Sequence, residues 1–529
     1  MKRWDYIVVG AGSAGCVVAN RLSESGKKRV LLIEAGSKDR SLAFKIPAGI
    51  GFTNTILKND WGYRSEPDPT RNNKIDHWTR GRVVGGSSTI NGMMYVRGSS
   101  EDYDRWASLG NTGWAAKDIM PLFQSLECSD QENFVRGLDG PLHIKTVKGA
   151  HPITDTFIKA SVNAGYLFNP NYNGINQEGV SYAQLTQRRG FRCSAADAFL
   201  KPVLHRKNLK LLVNVCVHKL LIKNHHVTGV CYEQNGIVHE AYAQQVVLCA
   251  GAINSPKLLM LSGIGGAQEL SEQGIDVVLD RPAVGKNLRE HPLVSFTYRM
   301  KEPTYNPTEG YLQKAQFLAN YLFKGQGPIS TVFEATAFLK TRPDESTPDI
   351  QLHFLPAGVA RECDEGSLFL PYPAITILLN KSHPLSTGQI RLRSNDPRDA
   401  PLIECRLLND QKDLATLVQG SQIVRRIMSS APMAEWVEEE VTPGIGYTDD
   451  KSLEDYIKNN TDLAYHPIGT CRMGVDDEAV VMPDLKVRGI DNLWVADASI
   501  MPDLISGNTN GVCMMIGEKL GRALARSDL

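Results

Sequence analysis

The sequence lacks the features that mark several large classes of protein. Its 58 basic and 58 acidic residues leave no formal net charge, so charge alone does not drive nonspecific binding to nucleic acid or to an anionic membrane. No run of about 18 apolar residues, the length of a membrane span, occurs. Internal repeats, low-complexity linkers and metal-ligand patterns are also missing. With 42% hydrophobic and 22% charged residues, the composition is that of an ordinary soluble globular protein.

Paired cysteines are missing as well. The ten cysteines are scattered without a Cys-x-x-Cys pair, which is typical of a reducing compartment rather than of a disulfide scaffold. The apolar run before the first glycine turn is shorter than the about 7–15 residues of a secretory signal, and the tail RALARSDL carries no lipidation or retention signal. We therefore expect a cytoplasmic protein without a membrane span; peripheral contact at the inner face of a membrane stays open.

The first forty residues carry a nucleotide-binding pattern. Apolar strands predicted over 6–9 and 29–33 flank a helix predicted over 14–23, and Gly10, Gly12 and Gly15 form a G-x-G-x-x-G turn before that helix. The glycines allow a pyrophosphate to approach the helix N-terminus, and Glu34 after the second strand is placed to bind a ribose hydroxyl. The pattern predicts dinucleotide binding, NAD or FAD rather than NADP. The pattern does not distinguish NAD from FAD.

Two later stretches are rich in glycine and small polar residues. Residues 80–98 read RGRVVGGSSTINGMMYVRG, a composition that suits close approach to a flat ligand with a polar edge. Residues 246–265 read VVLCAGAINSPKLLMLSGIG. Here a buried strand runs into a glycine turn, and Asn254 or Ser255 is predicted to cap a helix with Pro256 at its first position.

A third stretch lies near the end of the chain, where a strand is predicted to end at Asp497 and a helix to begin near residues 508–511. A helix N-terminus carries a partial positive charge. Directed at the pyrimidine edge of a reduced flavin, it would stabilise the negative charge that forms there.

These stretches resemble the signatures of the glucose–methanol–choline (GMC) flavoprotein oxidoreductases. GRVVGGSSTINGMMYVRG resembles the first signature and GAINSPKLLMLSGIG the second, while AYHPIGTCRMG, VADASIMP and GNTNG resemble the catalytic end and RPAVGKNLREHP the loop between the halves. The likeness spans essentially the whole chain. Within the family, the likeness is greatest to the choline-dehydrogenase-like alcohol dehydrogenases, both in chain length and in the GGSSxxNGM motif.

The resemblance implies an α/β fold, with a Rossmann-like FAD-binding domain interleaved with a substrate domain built on an antiparallel sheet flanked by helices. The FAD-binding domain would comprise residues 1–40, 76–105, 190–295 and 455–529. The substrate domain and lid elements would comprise residues 41–75, 106–189 and 296–454. Alternation in TPDIQLHFLPA predicts a half-buried strand of the substrate domain.

The resemblance also implies the residues that contact FAD. Ile90 replaces the histidine that binds FAD covalently in some members, so the cofactor is expected to be noncovalent. The expected contacts are Gly10, Gly12, Ser13, Ala14, Gly15, Glu34, Trp61, Val83, Gly86, Asn91, Gly92, Met93, Met94, Val217, Tyr465, Ala498, Thr509 and Asn510. For the Tyr465 side chain, a role as loop filler is the alternative.

His466 corresponds to the active-site histidine of the family, and Asn508, 42 residues later, to its partner. An imidazole suits removal of a hydroxyl proton near neutral pH, and an amide can donate a hydrogen bond to the developing alkoxide. Pro467 limits the backbone beside the histidine. Thr509 stands where the family often has proline, which leaves the orientation of Asn508 less constrained. The alternative is a His466 that bonds only to its own loop.

Three further residues carry weaker expectations. Glu334 matches an acid near the cationic group of substrate in choline-using relatives, and a structural hydrogen-bonding role is the alternative. His353 is expected either to line the substrate cavity or to lie satisfied in the core. His291 is expected to be structural.

The resemblance predicts FAD-dependent oxidation of a small-molecule alcohol to an aldehyde or ketone, with hydride transfer to flavin N5. A non-redox flavin protein of the oxynitrilase or photodecarboxylase type is the alternative, and a binding protein that keeps the fold without turnover is a third class. The electron acceptor would be oxygen, a quinone or a dye. The small Ala464, two residues before His466, slightly favours a dehydrogenase over an oxidase.

Overall fold

The computed structural model describes residues 3–51, 58–306, 310–359 and 369–527. The strands, in chain order, are β1 (Trp4–Val9), β2 (Val30–Ile33), β3 (Tyr63–Arg64), β4 (His77–Trp78), β5 (Glu127–Ser129), β6 (Leu142–Thr146), β7 (Gly179–Tyr182), β8 (Gln184–Arg188), β9 (Phe191–Arg192), β10 (Leu209–Leu212), β11 (Val215–Lys223), β12 (His226–Gln234), β13 (Ile237–Leu248), β14 (Ile264–Gly265), β15 (Leu279–Asp280), β16 (Pro292–Met300), β17 (Ala335–Leu339), β18 (Ile350–Leu355), β19 (Ala374–Lys381), β20 (Gln389–Arg391), β21 (Leu402–Glu404), β22 (Val437–Thr442), β23 (Asp462–Leu463) and β24 (Leu493–Val495). The α-helices are α1 (Ser13–Ser23), α2 (Ser100–Ser108), α3 (Ala116–Leu126), α4 (Pro152–Asn163), α5 (Gly251–Leu261), α6 (Ala267–Glu272), α7 (Tyr311–Lys324), α8 (Gln411–Met428), α9 (Met433–Trp436), α10 (Asp450–Asn460) and α11 (Asn510–Arg526).

A parallel sheet holds the predicted nucleotide-binding unit. Its strand order is β10-β2-β1-β13-β24, and every neighbouring pair is parallel. β1, α1 and β2 lie within two residues of their predicted bounds. The strands β1 and β2 are almost wholly buried, as expected when both faces of a parallel sheet are covered. The first part of β13 continues beyond this sheet into an antiparallel meander with β12 and β11.

Helix α11 packs directly on α1. A Cβ atom added to Gly517 of α11 would lie 2.6 Å from the carbonyl oxygen of Ala14 in α1, so only glycine permits this approach. Because of this packing, the N-termini of both helices lie together beside the same cavity.

A second, antiparallel sheet has the order β22-β16-β19-β18-β17-β7, with β23 added to β16. The prediction that β18 is half-buried is wrong, because the strand is buried throughout. One face packs on helices: Phe354 stacks on Phe157 of α4, and Ile350 faces Gly420 of α8. The other face, which carries Gln351 and His353, is covered by the C-terminal segment and by the cavity.

The prediction that α5 begins near Pro256 is also wrong. The helix begins at Gly251 and contains Pro256 in its interior. Proline lacks the N–H that would bond to the carbonyl four residues earlier. Here the Thr470 hydroxyl donates to that carbonyl, on Ala252, at 2.5 Å. A distant side chain thus replaces the missing hydrogen bond, and the local sequence alone does not indicate it.

One continuous hydrophobic core extends through both sheets, from Val8 and Val247 in the first to Phe296 and Leu352 in the second. The predicted fold class, α/β with an additional antiparallel sheet, is confirmed. The domain boundaries stay a prediction. In the described part of the chain, no helix combines the length and the apolar character needed to cross a membrane.

Candidate active site

A cavity of about 700 Å³ is lined by residues of both sheets. Glu34, which follows β2, and Val217 of β11 line it from the side of the N-terminal sheet. His466 and Asn508 also line it, together with His353 of the antiparallel sheet. Its size is that of a site for a small ligand or a cofactor.

The glycine turn before α1 forms one wall of this cavity. Gly86, with φ of +55°, packs so closely on this turn that a Cβ atom there would lie 2.8 Å from the Cα of Gly12. Helix α1 has no side-chain cap at its N-terminus, and its first residues, Ser13 and Ala14, line the cavity. Their backbone N–H groups are therefore available to an anionic ligand.

Glu34 is buried, and each carboxylate oxygen accepts a backbone hydrogen bond. One bond comes from Ala11 N at 2.9 Å and the other from Gly36 N at 2.8 Å. Burial raises the pKa of Glu34 to about 7. A carboxylate has about four acceptor positions, so capacity remains for a hydroxyl in the cavity.

A buried arginine holds the segment 90–94 against the cavity. Arg192 Nη1 donates to the carbonyl oxygen of Asn91 at 2.6 Å and to its Oδ1 at 2.7 Å, and Nε donates to Phe44 O at 3.1 Å. Burial lowers the pKa of Arg192 to about 10, so it stays charged at neutral pH. Asn91 Oδ1 also accepts from the backbone N–H of Met93, whose φ of +63° is rare outside glycine.

An antiparallel pairing of two distant segments positions His466, the predicted base. Residues 289–293 run alongside 462–468, with a strand pair at Pro292 and Leu463 and a further bridge at Arg289 and Ile468. This register places two histidine side chains together although they are 175 residues apart in the sequence.

The hydrogen bonds fix the protonation of these two rings. His291 Nε2 lies 2.8 Å from the carbonyl oxygen of Ser382, which can only accept, so this nitrogen carries a proton. Burial lowers the pKa of His291 to about 4, so at neutral pH its Nδ1 is a bare acceptor. His466 Nδ1, 3.0 Å away, must therefore donate to it.

The same logic leaves His466 Nε2 without a proton. This nitrogen accepts from Asn508 Nδ2 at 3.2 Å, and Asn508 Oδ1 accepts from Gln351 Nε2 at 3.3 Å. Burial lowers the pKa of His466 well below its ordinary value. At neutral pH the ring is thus an uncharged base, and its Nε2 lies in the cavity wall.

The backbone at His466 is held from two sides. Its N–H donates to Glu290 Oε1 at 2.7 Å, and the same oxygen accepts from the backbone N–H of His291 at 2.9 Å. Burial raises the pKa of Glu290 to about 8, so its carboxyl is mostly protonated at neutral pH. Tyr465, with φ of +64°, is 46% exposed, and its carbonyl accepts from Arg80 at 2.8 Å.

Comparison with known proteins identifies the family. Two models described as GMC oxidoreductase match residues 4–293 and 384–517, and together they cover most of the chain.

The chain is a GMC oxidoreductase.

Curated relatives of this GMC oxidoreductase match over almost their whole lengths. A Pseudomonas putida protein named alcohol dehydrogenase (acceptor) is 39% identical over 99% of this chain and 96% of its own length. A Rhizobium rhizogenes protein named oxygen-dependent choline dehydrogenase is 39% identical over 99% of this chain and 97% of its own. Among solved structures, pyridoxine 4-oxidase from Mesorbium loti has a TM-score of 0.91 and 31% identity, with 100% of both chains covered.

FAD is the cofactor of this GMC oxidoreductase. The described residues fit it. The uncapped N-terminus of α1 suits a diphosphate, and Glu34 suits a ribose. Helix α11 also lacks a side-chain cap, and its first residue, Asn510, lines the cavity and accepts from the Ser13 hydroxyl at 2.7 Å. Two helix N-termini thus face one cavity. FAD has an anionic diphosphate and a ring that accepts electrons, and a partial positive charge stabilises both.

The structure brings most of the predicted residues of this GMC oxidoreductase to the cavity. Those that line it are Gly10, Gly12, Ser13, Ala14, Glu34, Trp61, Gly86, Asn91, Gly92, Met93, Met94, Val217, His353, Tyr465, His466, Ala498, Asn508, Thr509 and Asn510. Whether each contacts FAD or substrate stays a prediction.

Three predicted residues are not among those that line the cavity. Gly15 packs against Gly10, and Val83 lies in a small buried cluster with Phe44 and Ile90. The carboxylate of Glu334 accepts from Thr154 Oγ1, the backbone N–H of His151 and the Tyr305 hydroxyl at 2.6–3.0 Å. This placement matches the structural alternative for Glu334 rather than a contact with a substrate cation.

His353 lies where the first of its two expectations placed it, in the cavity lining. Its Nε2 bonds to Asn380 Oδ1 at 3.0 Å. Its Nδ1 is buried and has no hydrogen-bond partner in the described part of the chain. The side chain is therefore only partly satisfied by protein.

Two residues beside the site, Glu290 and Arg192, were not singled out from the sequence. His291 was expected to be structural, and that expectation stays a prediction. One signal was present for His291, since it precedes Pro292 as His466 precedes Pro467. Arg192 lies outside the signatures and carries no such signal.

Proposed function

We propose that this chain oxidises an uncharged alcohol to an aldehyde or ketone, with FAD as the oxidant and His466 as the base. The observation that carries this proposal is the bare Nε2 of His466 in the wall of the cavity, beside the Asn508 amide. The names of the relatives, which include alcohol and choline dehydrogenases, support the reaction class.

The protein residues would act on the hydroxyl group. The substrate hydroxyl replaces Asn508 as the donor to His466 Nε2, which accepts the hydroxyl proton, and Asn508 Nδ2 donates to the oxygen as negative charge develops on it. When bound, FAD supplies the two-electron oxidant that takes the hydride from the alcohol carbon. The alcohol thus loses one proton and one hydride and becomes the carbonyl product.

We assign His291 the role of a positioning residue. Its bare Nδ1 requires the Nδ1 of His466 to keep its proton, which directs the lone pair of the base toward the cavity. If His291 donated instead, His466 would carry its proton on Nε2 and could not act as a base. The partner of His291 Nε2 is the backbone carbonyl of Ser382. Because this carbonyl does not titrate, the orientation of the two rings does not depend on a further ionisable group.

Asn508 needs no neighbouring proline to be oriented. Its Oδ1 is bonded to Gln351 of β18, and its Nδ2 faces His466. These contacts support a fixed amide orientation in spite of Thr509 at the position of the family's proline.

The lining on the side of the antiparallel sheet supports an uncharged substrate. Leu293, Leu378 and Phe333 are apolar, and His353 is neutral, because burial lowers its pKa to about 4. A quaternary ammonium group needs an aromatic cage or a free carboxylate. On this side Phe333 contributes one ring, while Trp61, Tyr63 and Tyr465 line the cavity from other segments.

The carboxylates of the lining are already engaged. Asp497 accepts from Ser255 Oγ at 2.5 Å, Asp462 forms an ion pair with Lys74, and Glu34 accepts from the backbone N–H groups of Ala11 and Gly36. Choline should therefore be a poor substrate compared with its uncharged isostere, in which a tert-butyl group replaces the trimethylammonium group. A kcat/KM that is higher for choline would contradict this assignment.

Three narrower points belong to the same proposal. FAD is noncovalent, since Ile90 offers no nucleophile; acid precipitation should release all of the yellow colour into the supernatant. The enzyme is a cytoplasmic dehydrogenase that reduces a quinone or dye faster than oxygen. The small Ala464 supports the dehydrogenase assignment, and the nine described cysteines, all of which are free, support the cytoplasmic one.

An anaerobic panel of alcohols followed by flavin absorbance tests the function. Uncharged alcohols should bleach the band of the bound flavin within the time of turnover, and admission of air should restore it slowly, whereas a quinone or dye should restore it at once. If no alcohol bleaches the flavin while dithionite does, the proposed reaction is wrong. If air restores the colour as fast as a dye, the enzyme is an oxidase.

A further inference from the structure

Arg80 is a partly buried cation that lines the cavity. Its Nη2 donates to the carbonyl oxygen of Tyr465 at 2.8 Å, and its Nε donates to the carbonyl oxygen of Thr79. Among the residues that the structure describes, no carboxylate lies within ion-pair distance of its guanidinium group. Charges removed from water in proteins are normally paired. The arrangement therefore indicates a negative charge that the described protein residues do not supply.

The acids whose charges act on Arg80 are Glu290 and Asp60, and both are otherwise engaged. The carboxyl of Glu290 is mostly protonated at neutral pH, since burial raises its pKa to about 8. One oxygen of Asp60 accepts from the backbone N–H of Arg80 at 2.7 Å, and the other lies 3.3 Å from His77 Nε2. Burial lowers the pKa of Arg80, and the two acids do not offset this effect. An arginine nevertheless stays charged at neutral pH.

This cation lies close to the proposed base. The guanidinium carbon of Arg80 is 5.9 Å from the centre of the ring of Tyr465, the residue directly before His466. Burial is the main cause of the lowered pKa of His466, and the charge of Arg80 acts in the same direction. The uncapped N-terminus of α11 lines the same cavity through Asn510 and Cys513. Two sources of positive potential thus contribute to this cavity, and one of them, Arg80, acts on the base.

We propose that Arg80 stabilises the negative charge that FAD acquires on reduction and thereby raises the reduction potential of the bound flavin. Hydride uptake adds two electrons and one proton to a neutral ring, which leaves the ring with a negative charge. A fixed cation in a partly buried wall acts on such a charge more strongly than it would in water. The inference deepens the proposed function and rests on one part of it, namely that the flavin ring lies beside His466.

The hydrogen bonds of Arg80 favour this role over the binding of an anionic substrate. Arginine usually binds a carboxylate through two parallel N–H groups. Here Nε and Nη2, which form one side of the guanidinium, already donate to backbone carbonyls. The other cation of the described lining, Lys257, donates to the carbonyl oxygens of Pro397 and Asp399 at 2.7 and 2.6 Å. A charge spread over a reduced ring needs no paired donors, only a cation nearby.

Sulfite binding and redox titration of the holoenzyme test the proposal. Sulfite adds to oxidised flavin and forms an anionic adduct, so its affinity measures the stabilisation of negative charge on the ring without any alcohol. Arg80→Gln keeps an N–H donor for the Tyr465 carbonyl but removes the charge. It should weaken sulfite binding at least about tenfold and lower the potential by about 30 mV, the equivalent for a two-electron couple. Arg80→Lys keeps the charge and should retain most of both.

Arg82→Gln is the matched control. Arg82 belongs to the same segment and also lies over an aromatic ring, that of Trp61 at 5.0 Å, but its side chain is exposed and it is not part of the described lining. Sulfite affinity and potential should therefore stay as in the wild type. FAD content and circular dichroism confirm that each variant is folded.

Four results would overturn the role of Arg80. They are a wild type that forms no sulfite adduct, an Arg80→Gln variant with unchanged potential and sulfite affinity, equal losses in Arg80→Gln and Arg80→Lys, or an Arg80→Gln variant that is altered only in its KM for hydroxy acids. Equal losses would mean that the side chain acts only by holding the Tyr465 carbonyl.

Failure of this inference can be distinguished from failure of the proposed function. If no alcohol reduces the flavin but Arg80→Gln still weakens sulfite binding, alcohol oxidation is refuted and the role of Arg80 is supported. If alcohols reduce the flavin and Arg80→Gln has the potential of the wild type, the reverse holds.

Discussion

The two ring nitrogens of His466 have different neighbours, and this difference decides what the side chain can do. Nδ1 faces the bare nitrogen of His291, and Nε2 faces the amide of Asn508. A histidine hydrogen-bonded through one nitrogen has a defined tautomer. The sequence predicted His466 and Asn508 as a pair, while the contact of His466 with His291, the proposed orienting residue, is seen only in the folded chain.

Replacement of His466 by alanine should lower kcat/KM for an alcohol by about 10²- to 10⁴-fold, the usual contribution of a general base. FAD content should stay unchanged, because the main-chain hydrogen bond to Glu290 does not need the imidazole. Stopped-flow reduction of the flavin measures the effect. The exposed His239 offers a control, since alanine there should leave the rate as it is. A His466→Ala variant that reduces flavin at the wild-type rate would exclude the base role.

Two replacements of His291 separate positioning from packing. His291→Phe fills the space but removes the acceptor, so kcat should fall by about 10- to 100-fold, the effect of an unpaired buried hydrogen-bonding group. His291→Asn can present its Oδ1 to His466 Nδ1 and should stay within a few fold of wild type. KM should change little in both. Equal loss in the two variants would show that the ring contributes only by its bulk.

The pH dependence follows from the same environment. Burial lowers the pKa of His466, so more acid is needed to protonate it than for an exposed histidine. The base is therefore active at neutral pH, and kcat/KM should be level there. It should fall only below the ordinary histidine range, which is centred near about 6.5. Initial rates across the acid range check this. A fall in kcat/KM with an apparent pKa at or above about 6.5 would contradict it.

At the scale of elements, Asp102 of α2 ties the first signature to the segment before α11. Its carboxylate accepts from the backbone N–H and the hydroxyl of Ser506, at 2.8 and 2.7 Å, and from His383 Nε2 at 2.7 Å. Burial alone would raise the pKa of Asp102, but the charge of His383 and these hydrogen bonds hold it below its ordinary value. Asn508 lies two residues beyond Ser506, so the hydrogen bonds of Asp102 also restrict the position of the backbone near Asn508.

Asp102→Asn should lower the free energy of unfolding by about 3 kcal/mol at neutral pH, since it removes one partner of a buried pair. Asp102 has a depressed pKa in the folded state. Its stabilisation is present above the unfolded pKa of about 3.9 and is lost as the pH falls. The deficit of the variant should therefore shrink in acid. Denaturant unfolding at neutral and acid pH measures it, and a deficit that is constant with pH would contradict the charge argument.

The helices and strands also show which parts of the fold can be predicted from the sequence. The β1–α1–β2 unit was predicted within two residues, because its glycines and apolar runs act locally. The start of α5 was missed because a distant threonine satisfies the carbonyl that Pro256 leaves free. The burial of β18 was missed because its polar residues, Gln351 and His353, face a cavity, and alternation cannot distinguish a cavity from solvent.

At the scale of the whole molecule, the cavity joins segments from Val9 to Cys513. A ligand that binds only the folded chain stabilises it by about 3 kcal/mol at a hundredfold excess over Kd. Removal of FAD should therefore lower the melting temperature by several degrees in a single transition, and added FAD should restore it. Thermal unfolding followed by circular dichroism measures this. If only part of the transition moves, the cavity does not couple the two sheets.

The family resemblance predicted the cofactor, most residues of the cavity and the proposed catalytic pair, because these lie in contiguous signatures. Contacts between signatures were not available in this way. Arg192 holds Asn91 from 101 residues away, and His291 meets His466 from 175 residues away. The placement of Glu334 against Thr154 and Tyr305 depends equally on such long-range packing.

The paired segments 289–293 and 462–468 have a consequence for laboratory recombination with relatives. Both histidines belong to this one antiparallel pairing, whereas Asn508 precedes α11 beside the parallel sheet. Chimaeras that inherit the two segments from one parent keep the base and its orienting ring as a unit. A crossover that separates them pairs a base with a foreign neighbour, and such hybrids should take up FAD normally yet turn over poorly.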